Sequence, residues 1–404
     1  MRNLSLGLFG ILLIALTWSA IDSGTSAQQG RSAATLPGAR ATIDASRFES
    51  LQAALDALPP EGGMLRLPAG EFEIDQPLVI HCGDVCLEGS GTATNIKNMN
   101  TDGRPALIVA HPEAVDARQD RKLNLWRVRL ANLRITGNEK SGHGIEARLI
   151  NEIFIDGVSV SYCGGDGILL DYCYEDPRVC NSLLTYNKGV GLNLQGCHDI
   201  VVAANQFEEN QDALHCFDGF NLCMTGNCLD DHLGHGVVIE NTYGSVVSGN
   251  MIEECRGTAV ILERDCYGIT LSANVIAHNG GGIDLRDAHG CAVSANTFTI
   301  MGSDALRVGA DSGRISVGAN SFCNSYIGDG EVKRGTEDRA AAGMVLQGAD
   351  VAITGNVFSS VRPNAIEIAD PAPPGGAVVG NVFTDVESDH GKLKDAEVTA
   401  NSVR

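Results

Sequence analysis

Two glutamates, Glu240 and Glu263, end five-residue segments that align with each other, Gly236-Val-Val-Ile-Glu240 and Ala259-Val-Ile-Leu-Glu263. Ala213-Leu-His215-Cys-Phe217 comes before them in the same alignment, and Gly282-Ile-Asp284-Leu-Arg286 and Ala305-Leu-Arg307 follow. If each segment is a strand with its second and fourth residues inward, the third and fifth point outward. One face then carries His215, Phe217, Glu240, Glu263, Asp284, Arg286 and Arg307. Two carboxylates one strand spacing apart either push one pKa up or recruit a cation. As a pair they suit general acid/base work, with Glu240, Glu263 and His215 as the expected catalytic groups. A separation of about 5 Å would suit a retaining glycosidase, and a wider gap with room for water an inverting one. Asp284, Arg286, Arg307 and Phe217 would then bind substrate. Alternatively, Glu240, Glu263 and Asp284 would take Ca2+, which prefers oxygen ligands, while a neighbouring arginine neutralises a uronate as a lyase requires. The plainer expectation is a mixed-charge outer surface whose ion pairs are worth under about 1 kcal/mol each. Asp166, Asp212, His235 and Asp304 recur just before the strands and are expected to cap turns.

The element that positions these residues is a repeat. Asn205, Asn227, Asn250, Asn274, Asn296, Asn320, Asn356, Asn381 and Asn401 recur at intervals of 20 to 25 residues, with one of 36. Asn181, Gly157 and Asn132 extend the series backward. Such a period is the mark of a solenoid. The segments above share a second column of aliphatics: Ile145, Ile168, Leu192, Leu214, Val237, Val260, Ile283, Leu306, Met344 and Ile366. Alternation at period two marks strands, and no helical stripe lies between them. Each repeat is thus one coil of two or three short parallel strands, and the crossover rule makes the winding right-handed. The fold predicted for residues 42–404 is all-β, a single-stranded right-handed parallel β-helix of about 12 coils. The repeating asparagines are expected to stack as a hydrogen-bonded amide ladder rather than act in catalysis.

An open solenoid end needs a cap. Residues 46–58 supply an N-terminal capping helix, with a capping box in Ser46-Arg-Phe-Glu49 and an apolar face of Leu51, Ala54, Leu55 and Leu58. The 36-residue interval contains a loop excursion over 325–342, including Lys333, Arg334 and Arg339, placed to wall the face near Arg286 and Arg307. The chain opens with a secretory signal, residues 1–27, with Arg2, an apolar run from Leu4 to Ala20 and small residues at Thr25-Ser26-Ala27. A linker follows at 28–41. With 29 basic and 50 acidic residues, the formal charge of −21 argues against nucleic acid and anionic membranes as partners. It also disfavours a polyanionic substrate unless a metal or a local basic patch compensates. The 13 cysteines are an odd number with no zinc spacing. They read mostly as buried thiols, with room for one or two disulfides in an exported protein.

The opening Leu51-Gln-Ala-Ala, then Gly62-Gly63-Met-Leu-Arg-Leu-Pro68-Ala-Gly70-Glu-Phe and Leu87-Glu-Gly89-Ser-Gly91, resembles the entry segment of the pectate-lyase-like superfamily, and the Asn-anchored coils look like its β-helix repeats. The resemblance covers about residues 42–404. It implies a polysaccharide partner and a secreted or periplasmic carbohydrate-active protein, either a lyase or a glycoside hydrolase. A non-catalytic glycan-binding or structural β-helix is the alternative. Asn100-Thr101-Asp102, Asp230-Asp231 and Gly234-His235-Gly236 echo motifs of polygalacturonase-like hydrolases. The first is many coils too early, the other two share one turn, and the Arg-Ile-Lys partner is missing. The Asp-Pro-His-Asp signature of mannuronan epimerases and the Arg-x-Pro-x-x-Arg signature of pectate lyases are absent too, so no family residue is carried over.

Overall fold

The computed structural model describes residues 36–118, 122–323, 343–393 and 396–404. The expected signal at 1–27, most of the linker and the excursion at 325–342 lie outside the described residues. From Arg40 onward the chain forms one unit. It is a right-handed parallel solenoid of about 14 turns. Three parallel sheets run along it, with 12, 17 and 14 strands. We call these sheets I, II and III. In a middle coil the chain passes from Leu192–Gln195 in sheet I to Val201–Ala203 in sheet II and Gln206–Glu208 in sheet III.

The aliphatic column is the inner wall of sheet I. Ile168 pairs with Leu192, Leu192 with Leu214, Leu214 with Val237, and Val237 with Val260. Val260 pairs with Ile283, Ile283 with Leu306, Leu306 with Met344, and Met344 with Ile366. All are buried. Four phenylalanines of sheet III, Phe298, Phe322, Phe358 and Phe383, stack inside with centroids 4.8, 4.6 and 5.1 Å apart.

The asparagine series is a continuous buried ladder. From Asn205 to Asn381 each side-chain Nδ2 donates to the Oδ1 of the next asparagine at 2.9–3.1 Å. The backbone N–H of each donates to that same oxygen. The backward extension is off by one residue. Ser182, not Asn181, meets Asn205, through its backbone N–H. Asn132, Gly157 and Asn181 occupy the preceding slot, shared with Ala204, Gly226, Gly249 and Ala273, where every φ is positive. Glycine and asparagine suit that left-handed slot best, so the two columns draw on overlapping residue types.

The N-terminal cap is also shorter than expected. Ala45–Arg47 is a single 3-10 turn capped by Asp44, and Phe48 is extended. The α-helix is Leu51–Asp56, with Ser50 as its N-cap accepting from the Ala53 N–H at 3.1 Å. Its buried face of Leu51, Ala54 and Leu55 is the expected one. The first strand starts at Ala41 and pairs with Gly63–Arg66. Every cysteine from Cys82 to Cys291 is a free thiol, so the disulfides allowed by sequence do not form among them.

Candidate functional site

The outer face of sheet I carries the residues singled out by sequence. Register places Glu240 directly on Glu263, Phe217 on Glu240, and Asp284 on Arg307. His215 stacks on Val238 in the next coil, and Ile261 separates Val238 from Asp284. The structure therefore divides the set into two. His215, Phe217 and Glu240 form one group. Glu263, Asp284, Arg286 and Arg307 form the other, with Asp284 about 14 Å along the axis from His215 at the spacing of parallel strands.

Guanidinium groups occupy both glutamates. Arg264, one residue past the strand in a left-handed turn, folds back onto Glu240 and lies 3.8 Å from Asp218. Arg286 bridges Glu263 at 2.7 Å and Asp284 at 2.9 Å, the position a calcium ion would take between those carboxylates. Arg307 pairs with Asp304 in its own coil. Asp284 Oδ1 is left buried without a hydrogen-bond partner.

The first group has a different character. His215 Nε2 lies 2.8 Å from Asp212 Oδ2, and the ring sits against Phe217 with centroids 5.0 Å apart. Asp212 is buried, and its Oδ1 accepts from the His235 backbone N–H. Burial alone would raise the Asp212 pKa. The hydrogen bonds from His215 and from that N–H outweigh it and hold the carboxyl below its ordinary value. Asn193 stacks on His215 in the preceding coil. It is buried, donates to Asp166 Oδ2 at 2.9 Å, and leaves its own Oδ1 without a partner. Asp166 in turn accepts from the Val190 N–H at 2.8 Å. Asp166 and Asp212 thus cap the next coil, as expected of turn residues, but Asp212 also orients a ring on the outer face. Among the described residues His215 Nδ1 has no hydrogen-bond partner.

A wall stands beside this group that sequence reasoning missed. Residues 110–118, which follow Val109, leave the coil, and their Ala114 and Ala117 pack on Leu149 and Tyr172. Arg148 Nη1 holds it by donating to the Ala114 carbonyl at 2.9 Å. Arg118 lies 5.9 Å from the Tyr172 ring centroid and 3.7 Å from Asp218. The cleft beneath has a volume of about 480 Å3 and is lined by Arg118, Arg148, Asp171, Tyr172 and Gln195 among others. The signal was available as a long interval between a sheet I and a sheet II strand, but it precedes the clear part of the repeat.

Sheet III carries a separate acidic patch. Asp230, Asp231 and Glu254 have carboxylate oxygens within 4.8 Å of one another. Burial and then the neighbouring charge of Asp231 push the Asp230 pKa up to about 6. A folded-state pKa above the unfolded value means stability is lost as pH rises through the window from about 4 to about 6. Asp230→Asn should therefore melt higher than the parent at pH 7 and equally at pH 4. The gain should stay under about 1 kcal/mol because solvent screens a group that is only partly buried. Melting curves across pH in low salt check this; a variant that is less stable at pH 7 would contradict it.

The fold and the repeat define a right-handed parallel β-helix protein. More particularly, it is a β-helix repeat protein whose coils match family models over two overlapping stretches. Residues 85–244 match the family model described as right handed beta helix region, and residues 189–367 match the one described as periplasmic copper-binding protein (NosD). The A-module of mannuronan C-5 epimerase AlgE6 from Azotobacter vinelandii is similar in structure, with a TM-score of 0.55 at 16% identity over 90% of this chain and 99% of that one. Tailspike protein 3 of bacteriophage CBA120 matches at a TM-score of 0.55 and 11% identity over 89% of this chain and 61% of that one. ORF18 of Geobacillus virus E2 matches at 0.45 and 15% over 71% of this chain, which spans 62% of its length. At these identities the likeness is one of fold. No curated protein matches the chain.

Copper, named in the second family description, does not fit the donors grouped among the described residues. Among the described residues the one group spaced for a metal is the carboxylate trio on sheet III, an all-oxygen set. Copper is better served by imidazole, thiolate or thioether, and three carboxylates suit a hard cation. In the described residues no helix is long and apolar enough to cross a membrane.

Proposed function

We propose that this chain is an exported, glycan-acting protein that holds a polysaccharide along the outer face of sheet I and works on it by acid–base chemistry at His215. The observation that carries the reading is the Asp212–His215 pair at 2.8 Å, set on a rigid strand beside the half-buried ring of Phe217. A buried carboxylate fixes the ring's orientation through one nitrogen and leaves the other to take or give a proton. Glu240 and Glu263 flank the same track as hydroxyl acceptors, each steadied by its own arginine. A signal at 1–27 would export the protein, and the NosD family is described as periplasmic.

The test is a panel of plant, algal and bacterial polysaccharides, assayed with and without calcium, for new reducing ends and for unsaturated uronate absorbance. Product of either kind supports the reading and separates hydrolysis from elimination. Binding with no product would leave a glycan-binding module and remove the acid–base role. Neither binding nor product on any glycan would overturn the proposal.

A further inference from the structure

A column of rings runs up the solenoid just beyond sheet I. Tyr174, His198, Phe220, Tyr243, Tyr267 and His289 lie 22 to 24 residues apart, one per coil. Isolated parallel bridges join His198 to Phe220, Phe220 to Tyr243 and Tyr243 to Tyr267. Ring centroids are 4.3 Å apart for Tyr174 and His198, 4.5 Å for His198 and Phe220, and 5.3 Å for Phe220 and Tyr243. Tyr267 and His289 stand 6.2 Å apart. Five steps of the parallel spacing make the column about 24 Å long.

This stack differs from the phenylalanine stack in the core. Phe298, Phe322, Phe358 and Phe383 are at most 1% exposed and nearly parallel, with interplanar angles of 2 to 5°, as packing alone requires. In the outer column Phe220 is 40% and Tyr267 43% exposed. His198 is tilted 61° from Tyr174 and 50° from Phe220, unlike the near-parallel core rings. In a chain with 5% aromatics, six consecutive coils carry a ring at this outer position, two of them exposed and four half-buried. The column begins at Tyr174, 6.3 Å from Tyr172, which lines the cleft under the 110–118 wall. It passes Phe220 in the coil of His215 and Phe217.

On the column itself Tyr243 meets Asp265, His289 meets Asp287 and Arg314 lies 5.8 Å from the Tyr267 ring centroid, while the charges on the neighbouring face of sheet I are paired. Arg118 faces Asp218, Arg148 faces Glu146 and Asp171, Arg264 faces Glu240 and Asp218, Arg286 faces Glu263 and Asp284, and Arg307 faces Asp304. A polyuronate would meet no surplus of positive charge from these residues, on a chain of net charge −21. An uncharged sugar chain carries apolar C–H faces that pack on aromatic rings and hydroxyls that bond to paired carboxylates and guanidinium groups. The coil spacing is close to the rise of an extended hexose unit.

We infer that the Tyr174–His289 column and the cleft at its N-terminal end form an extended subsite for a linear, uncharged polysaccharide, spanning about five sugar units at one per coil. The inference rests on the glycan-acting reading above and adds the class of glycan. It makes hydrolysis, not uronate elimination, the reaction expected at His215.

The experiment is affinity electrophoresis and calorimetry of the full chain against neutral chains (mannan, xylan, β-glucan, galactan) and uronate chains (polygalacturonate, alginate). Phe220→Ala combined with Tyr243→Ala should weaken binding of the neutral chain roughly ten- to hundredfold with little dependence on salt. Tyr267→Ala, at an exposed rung, should weaken it less and melt like the parent, which guards against a variant that merely unfolds. Unaltered binding in all variants overturns the subsite. So does salt-sensitive preference for a uronate chain, although the glycan-acting reading would then stand. If the parent neither binds nor converts any glycan, both fall together.

Discussion

Asn274→Ala is expected to lower the unfolding free energy by about 3–5 kcal/mol, far more than a typical surface polar substitution. Asn274 Oδ1 accepts from both the backbone N–H and the side-chain Nδ2 of Asn250 at 3.0 Å. Its Nδ2 donates to the Val247 carbonyl and to Asn296 Oδ1, each at 3.0 Å. Alanine removes all four bonds and leaves two donors of Asn250 buried with nowhere to go. An orphaned buried donor costs about 1–3 kcal/mol, and two lie in one turn. The alanine cannot collapse the gap, because the sheets on either side fix the coil spacing. Asn274→Asp makes the cause visible. It keeps the acceptor for Asn250 but sets a carboxylate against Asn296 Oδ1 and the Val247 carbonyl. It should therefore be worse than alanine at pH 7 and recover in acid, where the protonated carboxyl becomes a donor again. Urea unfolding at both pH values reads the effect. A loss below about 1 kcal/mol for the alanine variant would mean that the ladder is incidental to stability.

That ladder was legible in the sequence for a physical reason. Its slot is buried, and the short asparagine amide both accepts from and donates to its copy one coil away. The inner column from Ile145 to Ile366 was legible on the same ground, since a fixed spacing demands aliphatics of one size. Misreading began where two slots accept similar residues. Asn132 and Asn181 fit a left-handed position one residue early, and Ser46 and Ser50 are both good helix caps. On the outer face, register foretold that Glu240 would lie on Glu263, but not that Arg264 would turn back onto Glu240. That contact depends on a φ of 54°, which an arginine gives no hint of adopting. Asp212 looked like another turn cap because it is one; its second carboxylate oxygen makes the contact with His215. The aromatic column has the same period as the asparagines and lies three or four residues past the fifth strand position. It escaped notice because its members are chemically mixed, and a ring stack tolerates tyrosine, phenylalanine and histidine alike.

His215→Gln should cut turnover of the glycan about 10²- to 10⁴-fold, the range of a lost general acid or base, while leaving KM within a few-fold. Glutamine keeps a donor for Asp212 and much of the packing against Phe217, so the melting temperature should hold. That makes it a sharper probe than Asp212→Asn. Asp212 also accepts the His235 N–H, so its loss would loosen the next coil and mix a folding effect into the kinetics. Removing a proton carrier also removes a limb of the pH–rate profile, which a change in packing would not do. Glu240→Gln and Glu263→Gln are the comparison. Each carboxylate is joined to a guanidinium, so neutralising it should free Arg264 or Arg286 and raise KM, with turnover falling less than tenfold. If the order is reversed, with the glutamine variants dead and His215→Gln active, the chemistry belongs to the stacked carboxylates and the histidine only shapes the track. If all three keep full turnover, the reaction centre lies off this face of sheet I.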